Sequence, residues 1–90
     1  MQSRVEIVAS GRVQGVGFRF FVRELAKKYD ISGYAKNLPD GSVEIIGEGE
    51  NDVLQDFLKE FSFENPFGAI SVIKKDYTSP SGIFTNFEIL

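Results

Sequence analysis

Apolar and polar residues alternate near the start of the chain. Val5, Ile7 and Ala9 are separated by other side chains, and this period of two is typical of a strand with one buried face. Val8 interrupts the alternation. The pattern therefore predicts a first strand over residues 4–10 whose second face is also partly covered.

The hydrophobic period lengthens to three and four residues after a glycine-rich stretch at 11–17. Charged side chains fill the intervening positions, which is the pattern of an amphipathic helix. Lys27 and Lys28 fall in its last turn, where cations suit the negative end of the helix dipole, and residues 30–33 end it. The apolar face of this predicted helix consists of Phe18, Phe21, Val22, Leu25, Ala26 and Tyr29.

A hairpin is predicted next, from two strands at 33–38 and 42–48. The turn between them contains Pro39, which presets φ, and Gly41, which takes the positive φ that closes a hairpin. A turn chemistry of this kind makes the two strands antiparallel neighbours.

The last third of the chain predicts a helix and two more strands. The helix begins at 50–52, where acidic residues meet the positive end of its dipole. A loop at 62–68 leads to a fourth strand at 69–77, and a short strand ends the chain. In the fourth strand Ile70, Val72 and Lys74 are expected to alternate with Ser71, Ile73 and Lys75. The buried face of this helix is predicted to be Val53, Leu54, Phe57, Leu58 and Phe61, and the last strand alternates through Thr85, Phe87 and Ile89.

The predicted element order is β-α-β-β-α-β followed by a terminal strand. Two helices on one face of a mostly antiparallel sheet satisfy this order, so we expect an α+β, ferredoxin-like sandwich with a short extra C-terminal strand. The length of 90 residues leaves room for one hydrophobic core, which predicts a single domain over 1–90. Because this fold carries many functions, the chemistry has to be inferred from particular residues.

The composition excludes several kinds of site. The chain has no cysteine and no histidine, so disulfides, thiolate nucleophiles and the commonest general base are all absent. Ten Lys and Arg stand against thirteen Asp and Glu, and the net charge of −3 argues against nucleic-acid binding. No leader peptide or membrane-spanning run is visible in the sequence. We expect a cytoplasmic protein that binds neither nucleic acid nor membrane.

The loop from Gly11 to Arg19 carries the clearest chemical signal. Two glycines, Gly15 and Gly17, allow a tight turn that points N–H groups inward, just before the positive end of a helix. Arg19 adds a guanidinium in the first helical turn, which suits a phosphate-sized dianion. A dinucleotide fingerprint would need glycine at Phe20, and no Walker lysine is present. The glycine spacing alone is equally compatible with a purely structural turn.

A second segment, residues 33–44, contains two polar candidates. Asn37 stands at the end of a predicted strand, where asparagine is depleted, so it either begins the turn or serves a site. Asp40 precedes Gly41, and this position favours a turn role over that of a general base. Other acidic residues, including Glu48 and Glu50, are expected to be solvated surface.

These two segments together resemble the two signatures of the acylphosphatase family, and the resemblance extends over essentially the whole chain. It implies that Arg19 is the catalytic arginine and that Asn37 orients the attacking water. One departure is visible at 64–68, where members commonly carry a Gly-Pro turn. The phosphate-binding loop implied by the resemblance, acting mainly through backbone N–H groups, consists of Gln14, Gly15, Val16, Gly17 and Phe18, with Arg19 beside it.

The activity implied by the resemblance is hydrolysis of the carboxyl–phosphate bond of small acyl phosphates. The leaving carboxylate needs no proton from a general acid, and the transition state is stabilised by positioning and electrostatics. We therefore expect no metal and no cofactor, a small acyl phosphate as substrate, inorganic phosphate as product and inhibitor, and a monomer. The alternative is a domain that binds phosphate or acyl phosphate without turnover, as a sensor or as part of a larger carbamoyl-transfer enzyme.

Overall fold

A computed structural model describes residues 1–15, 17–63 and 70–90. It contains two helices and five strands in the predicted order. Their bounds are β1 Gln2–Gly11, α1 Phe18–Lys28, β2 Ser32–Asn37, β3 Val43–Glu50, α2 Asn51–Phe63, β4 Ile70–Thr78 and β5 Phe87–Ile89.

The strands form one sheet in the order β4-β1-β3-β2-β5. Neighbouring strands are antiparallel except for β2 and β5, which are parallel. This arrangement confirms the predicted ferredoxin-like sandwich with its extra C-terminal strand. It also places the C-terminal end of β5 beside the strand that carries Asn37.

The hydrophobic core lies between the two helices and one face of the sheet. The alternating residues of β1 point into it, and Val5, Ile7 and Ala9 are fully buried. The aromatic rings of Phe18 on α1 and Phe61 on α2 meet edge to face with 6.0 Å between their centroids, which joins the two helices. Burial of these apolar surfaces supplies the main stabilising free energy of the fold.

The two faces of the sheet differ less than strict alternation would suggest. Val8 is half-buried on the face away from the helices, as its position in the sequence predicted. The segment before β5 covers part of that face, since Phe84 lies against Tyr34 of β2.

Strand β4 departs from its predicted alternation. The pairing of β1 with β4 shifts register between Val8 and Ala9, which is the mark of a β-bulge. Ile73, at this irregularity, is 60% exposed. Beyond the bulge Lys75 and Tyr77 come to lie near α2, so the predicted alternation through Lys74 does not continue to the end of the strand.

One further expectation is wrong, and another concerns residues that the structure does not describe. Helix α2 continues to Phe63, whereas the sequence predicted a loop from residue 62. The variant stretch 64–68 lies outside the described residues. No helix in the described part of the chain is long and apolar enough to cross a membrane.

Glu48 is the clearest error of the sequence-based interpretation. It is buried rather than solvated, with 5% of its surface exposed. Its carboxylate accepts hydrogen bonds from the Arg4 guanidinium, the Ser81 amide and hydroxyl and the Gly82 amide, at 2.7–3.1 Å. Glu48 thus attaches the segment that precedes β5 to the middle of the sheet, whereas Glu50 is exposed as predicted.

Candidate active site

The loop between β1 and α1 has the backbone geometry expected of an anion-binding turn. Gly15 and Gly17 adopt φ values of 73° and 86°, in the left-handed region that favours glycine. A Cβ atom on either glycine would meet nothing within 4 Å, so the backbone conformation, and not lack of space, requires glycine there. The space directly beside both glycines is open.

Helix α1 begins directly from this loop. Its N-cap is Gly17, which has no side chain with which to satisfy the amide groups of the first turn. The first helical hydrogen bond runs from the Phe21 amide to the Gly17 carbonyl at 3.0 Å. Amide groups and helix dipole at such a terminus attract anions, and the first turn carries no acidic side chain that would compete.

Arg19 lies in this first turn, and its side chain contacts the C-terminal residue Leu90. Its Nη1 atom donates a hydrogen bond to the backbone oxygen of Leu90 at 3.0 Å. The Leu90 amide in turn donates to the Ala35 carbonyl at 2.9 Å. Because Ala35 precedes Asn37 by two residues on β2, these bonds bring the guanidinium to the same end of the sheet as Asn37.

Asn37 is the last residue of β2 and pairs with Val43 across the hairpin. Its side-chain Oδ1 is buried and accepts no hydrogen bond from the described residues. A buried polar atom without a partner costs free energy, and such atoms occur where a ligand or a bound water completes the site. The asparagine oxygen therefore has an unused acceptor, which a bound water would satisfy.

The turn after Asn37 is closed by other groups. The Gly41 amide donates to the Leu38 carbonyl at 3.1 Å, and the Leu38 amide donates to the Ser42 carbonyl at 2.8 Å. Asp40 accepts hydrogen bonds from the amide and the hydroxyl of Ser42 at 2.9 and 2.5 Å. The Ser42 hydroxyl, and then its amide, lower the pKa of Asp40. Asp40 is thus an ionised turn residue, as its position before glycine predicted.

Gln14 shows a contact that the sequence did not reveal. Its side-chain Nε2 donates to the carbonyl oxygens of Leu38 and Ser42 at 3.0 and 2.9 Å. These partners lie 24 and 28 residues away in sequence, so no local pattern could have indicated them. The contact joins the glycine loop to the hairpin that carries Asn37.

Six of the seven predicted site residues are described, and their contacts place them at one end of the sheet. Gln14, Gly15 and Gly17 form the loop, Phe18 begins α1 as a fully buried core residue, and Arg19 follows it. Val16 lies outside the described residues. Where it is described, the chain places no group of three or more acidic side chains that could hold a metal ion.

A cleft lies elsewhere on the molecule. It measures about 570 Å³ and runs beside the C-terminal half of α1, between Arg23 and Phe87. A phosphate group needs converging amide groups and a guanidinium more than it needs a deep cavity, so the chemistry points to the glycine loop rather than to this cleft.

The fold and the loop define a ferredoxin-like α+β protein with a glycine turn at the start of its first helix. The model of the family described as "Acylphosphatase" matches residues 5–89. An acylphosphatase of Methanospirillum hungatei is 49% identical over 69 residues, which cover 77% of this chain and 75% of that relative. The chain belongs to the acylphosphatase family, whose activity is the hydrolysis of acyl phosphates.

Solved structures agree with this assignment. The crystal structure of acylphosphatase from Bacillus subtilis is 38% identical, with a TM-score of 0.83 over 98% of both chains. Full-length HypF in its phosphate- and nucleotide-bound form matches the whole chain with a TM-score of 0.82 and 30% identity, but the match covers only 12% of HypF. The same fold thus also occurs as a small part of a much longer protein.

Proposed function

We propose that this chain hydrolyses the carboxyl–phosphate bond of small acyl phosphates, with its glycine loop and Arg19 holding the phosphate and Asn37 orienting the attacking water. The observation that carries the proposal is the buried Oδ1 of Asn37, which has no partner among the described residues. It lies at the same end of the sheet as Arg19 and the glycine loop. A water molecule that donates a hydrogen bond to this oxygen is oriented by it and supplies the oxygen's missing partner.

In the proposed mechanism, backbone amides and a guanidinium stabilise the negative charge of the phosphoryl group. The loop N–H groups at Gly15 and Gly17, together with the Arg19 guanidinium, stabilise negative charge on the phosphoryl oxygens. The carboxylate leaving group departs without a proton, since it is a weak base. The proton lost by the water passes to the phosphate itself, which removes the need for a histidine in this chain.

The proposal includes the molecular setting of the reaction. Inorganic phosphate, the product, occupies the same loop and inhibits. We propose that residues 1–90 act as one monomeric domain with neither metal nor cofactor. Location in the cytoplasm stays a prediction of the sequence.

Benzoyl phosphate hydrolysis by the purified chain, compared with the Asn37→Ala variant, tests this function. If Asn37 orients water, the variant loses kcat far more than it raises KM, because the lost interaction belongs to the transition state. Its affinity for inorganic phosphate stays close to that of the parent chain, since the loop and Arg19 remain. A parent chain that binds phosphate without turnover would identify the alternative, a phosphate-binding or regulatory domain.

The Asn37→Ala variant also tests a purely structural role. An asparagine that only stabilised the turn would lose about 1 kcal/mol of stability on substitution, while the folded molecules kept their kcat. Melting temperature and kcat measured on the same preparation separate the two roles. Unchanged kcat per folded molecule would remove Asn37 from the mechanism.

A further inference from the structure

The carboxamide of Gln14 uses both of its donor hydrogens on a single turn. One goes to the Leu38 carbonyl and the other to the Ser42 carbonyl, and all three groups are partly buried. The two carbonyls also accept the turn's own amide groups, from Gly41 and Leu38. The Gln14 amino group therefore completes the hydrogen bonding of both oxygens at the neck of the hairpin.

The orientation of this carboxamide follows from its partners. Two carbonyl oxygens at 2.9–3.0 Å can be met only by N–H groups, so the amino end of Gln14 faces the hairpin. The side chain is consequently committed to the hairpin. It cannot at the same time donate its N–H groups to a phosphate in the loop.

The position of this contact in the chain links the two halves of the site. Gly15 of the phosphate loop directly follows Gln14, and Leu38 directly follows Asn37. One side chain thus spans from the phosphate cradle to the residue next to the water-orienting asparagine. No other side chain of the described residues donates to the carbonyls of this turn.

We propose that Gln14 is a positioning residue, whose side chain sets the hairpin and Asn37 at the correct distance from the phosphate loop. The inference rests on the proposed function of Asn37 and Arg19. It assigns the Gln14 side chain to water placement rather than to phosphate binding. Since a displacement of about 1 Å can cost about 100-fold in rate, two hydrogen bonds at this point suffice to influence catalysis.

The test begins with Gln14→Met, which keeps length and neutrality but removes both donors. We expect kcat for benzoyl phosphate to fall by about 10- to 100-fold, with the inhibition constant of inorganic phosphate changed by less than about threefold. Gln55→Met is the matched control, because Gln55 also donates a side-chain hydrogen bond, to Asn51 at 2.7 Å, but on the exposed surface of α2. The control is expected to keep the parent kcat.

A double-mutant cycle with Asn37→Ala separates positioning from mere stabilisation. If Gln14 acts through Asn37, Gln14→Met costs much less in the Asn37→Ala background than in the parent chain. Rates are measured under single-turnover conditions, with enzyme in excess over benzoyl phosphate, so that slow hydrolysis can still be detected. Should Gln14→Met not fold, Gln14→Asn keeps the amide but is one methylene too short to reach both carbonyls, and it enters the same cycle.

Three results would overturn the inference while leaving the proposed function intact. They are an unchanged kcat in the Gln14 variant, an equal loss in both backgrounds, and a weakening of phosphate inhibition as large as the loss of kcat. A parent chain that does not hydrolyse benzoyl phosphate refutes the proposed function, and this inference with it.

Discussion

We expect Arg19 and Asn37 to perform different tasks, because one carries a positive charge and the other a neutral amide. The guanidinium is a planar donor fork that is always protonated, and it suits two oxygens of a phosphate. The asparagine amide offers a donor and an acceptor, and its acceptor has no hydrogen-bond partner among the described residues. At the residue scale, therefore, the proposal assigns phosphate binding and water orientation to separate side chains.

Replacing Arg19 with lysine tests the geometry of phosphate binding. Arg19→Lys keeps the charge but loses the planar fork, and a charge-assisted hydrogen bond contributes about 1.5–3 kcal/mol. We expect the inhibition constant of phosphate to rise by about 10- to 100-fold and the rate to fall with it. Both are measured by benzoyl phosphate hydrolysis at several phosphate concentrations.

Arg23→Lys is the control for this change. Arg23 lies one turn further along α1, where it stacks on the Phe20 ring at 4.7 Å and pairs with Glu24 at 3.6 Å. The same substitution there should leave phosphate inhibition unchanged. If Arg19→Lys behaves like this control, Arg19 does not bind the phosphate.

Strand β2 connects both catalytic candidates to the sheet. It carries Asn37 at its end, and its Gly33 amide donates to the Asn86 carbonyl at 2.9 Å, just before β5. Strand β5 then leads to Leu90, which holds Arg19. At the scale of elements, the pairing of β2 with β3 and β5 keeps Asn37 and Arg19 at the same end of the sheet.

Gly33 is the position where this approach is tightest. A Cβ atom there would lie 1.9 Å from the Ile46 carbonyl oxygen, and the φ of 145° is one that other residues rarely adopt. We expect Gly33→Ala to lower the free energy of unfolding by more than about 3 kcal/mol, because backbone atoms on β3 must move. Chemical denaturation followed by circular dichroism measures the loss.

Gly49→Ala on the adjacent strand β3 serves as the comparison. Its added Cβ would lie 3.5 Å from the Ile31 side chain, an ordinary contact, and its φ is not in the left-handed region. We expect a change within about 1 kcal/mol. Equal losses for the two variants would show that the close approach at Gly33 is not what limits substitution.

At the scale of the whole molecule, Glu48 joins parts of the chain that are far apart in sequence. It connects Arg4 of β1 to Ser81 and Gly82, at the start of the segment that leads to β5. Burial alone would raise the pKa of Glu48, but the Ser81 and Gly82 amides, the Ser81 hydroxyl and Arg4 outweigh burial and lower the pKa below its ordinary value of 4.5.

A lowered pKa makes stability depend on pH with a definite sign. The contribution of Glu48 is complete above pH 4.5, the value in the unfolded chain, and is lost as the pH falls through the lower pKa of the folded state. We expect Glu48→Gln to lower the free energy of unfolding by about 3 kcal/mol at pH 7. Between about pH 5 and about pH 3, the stability of this variant should fall less than that of the parent chain.

Unfolding by urea at several pH values measures this dependence. Glu50→Gln is the control, since Glu50 is exposed and its ion pair is screened by water, so a much smaller loss is expected. A parent chain and a Glu48→Gln variant with parallel pH profiles would contradict the role assigned to Glu48.

The activity itself should not depend on a metal ion. The chain has neither histidine nor cysteine, and in the proposed site Arg19 and the loop amides supply the positive charge and the donors that oppose the phosphate charge. We expect the rate of benzoyl phosphate hydrolysis to be unchanged by excess chelator. A loss of activity that added Mg²⁺ or Zn²⁺ restores would show that a metal takes part.

The local patterns of the sequence were enough to predict the elements and their order. Helix α1 was predicted from the three- and four-residue spacing between Phe18 and Ala26, and β1 from the alternation of Val5, Ile7 and Ala9, because these periods reflect burial on one face. The turn role of Asp40 followed from its glycine neighbour. The family was also within reach of the sequence, since its two signatures are short and contiguous. The roles assigned to Arg19 and Asn37 stay predictions until the variants are measured.

Only the tertiary structure decided what depends on distant partners. Glu48 looks like a surface acid in the sequence, but its partners Ser81 and Gly82 lie 33 and 34 residues away. Gln14 looks like a loop residue, and its contacts with the hairpin arise because α1 and β2 bring the chain back to the same end of the sheet. Periodicity indicates which face of an element is buried, but it contains no information about which polar groups form hydrogen bonds across the fold. Such long-range hydrogen bonds determine the arrangement of the candidate site.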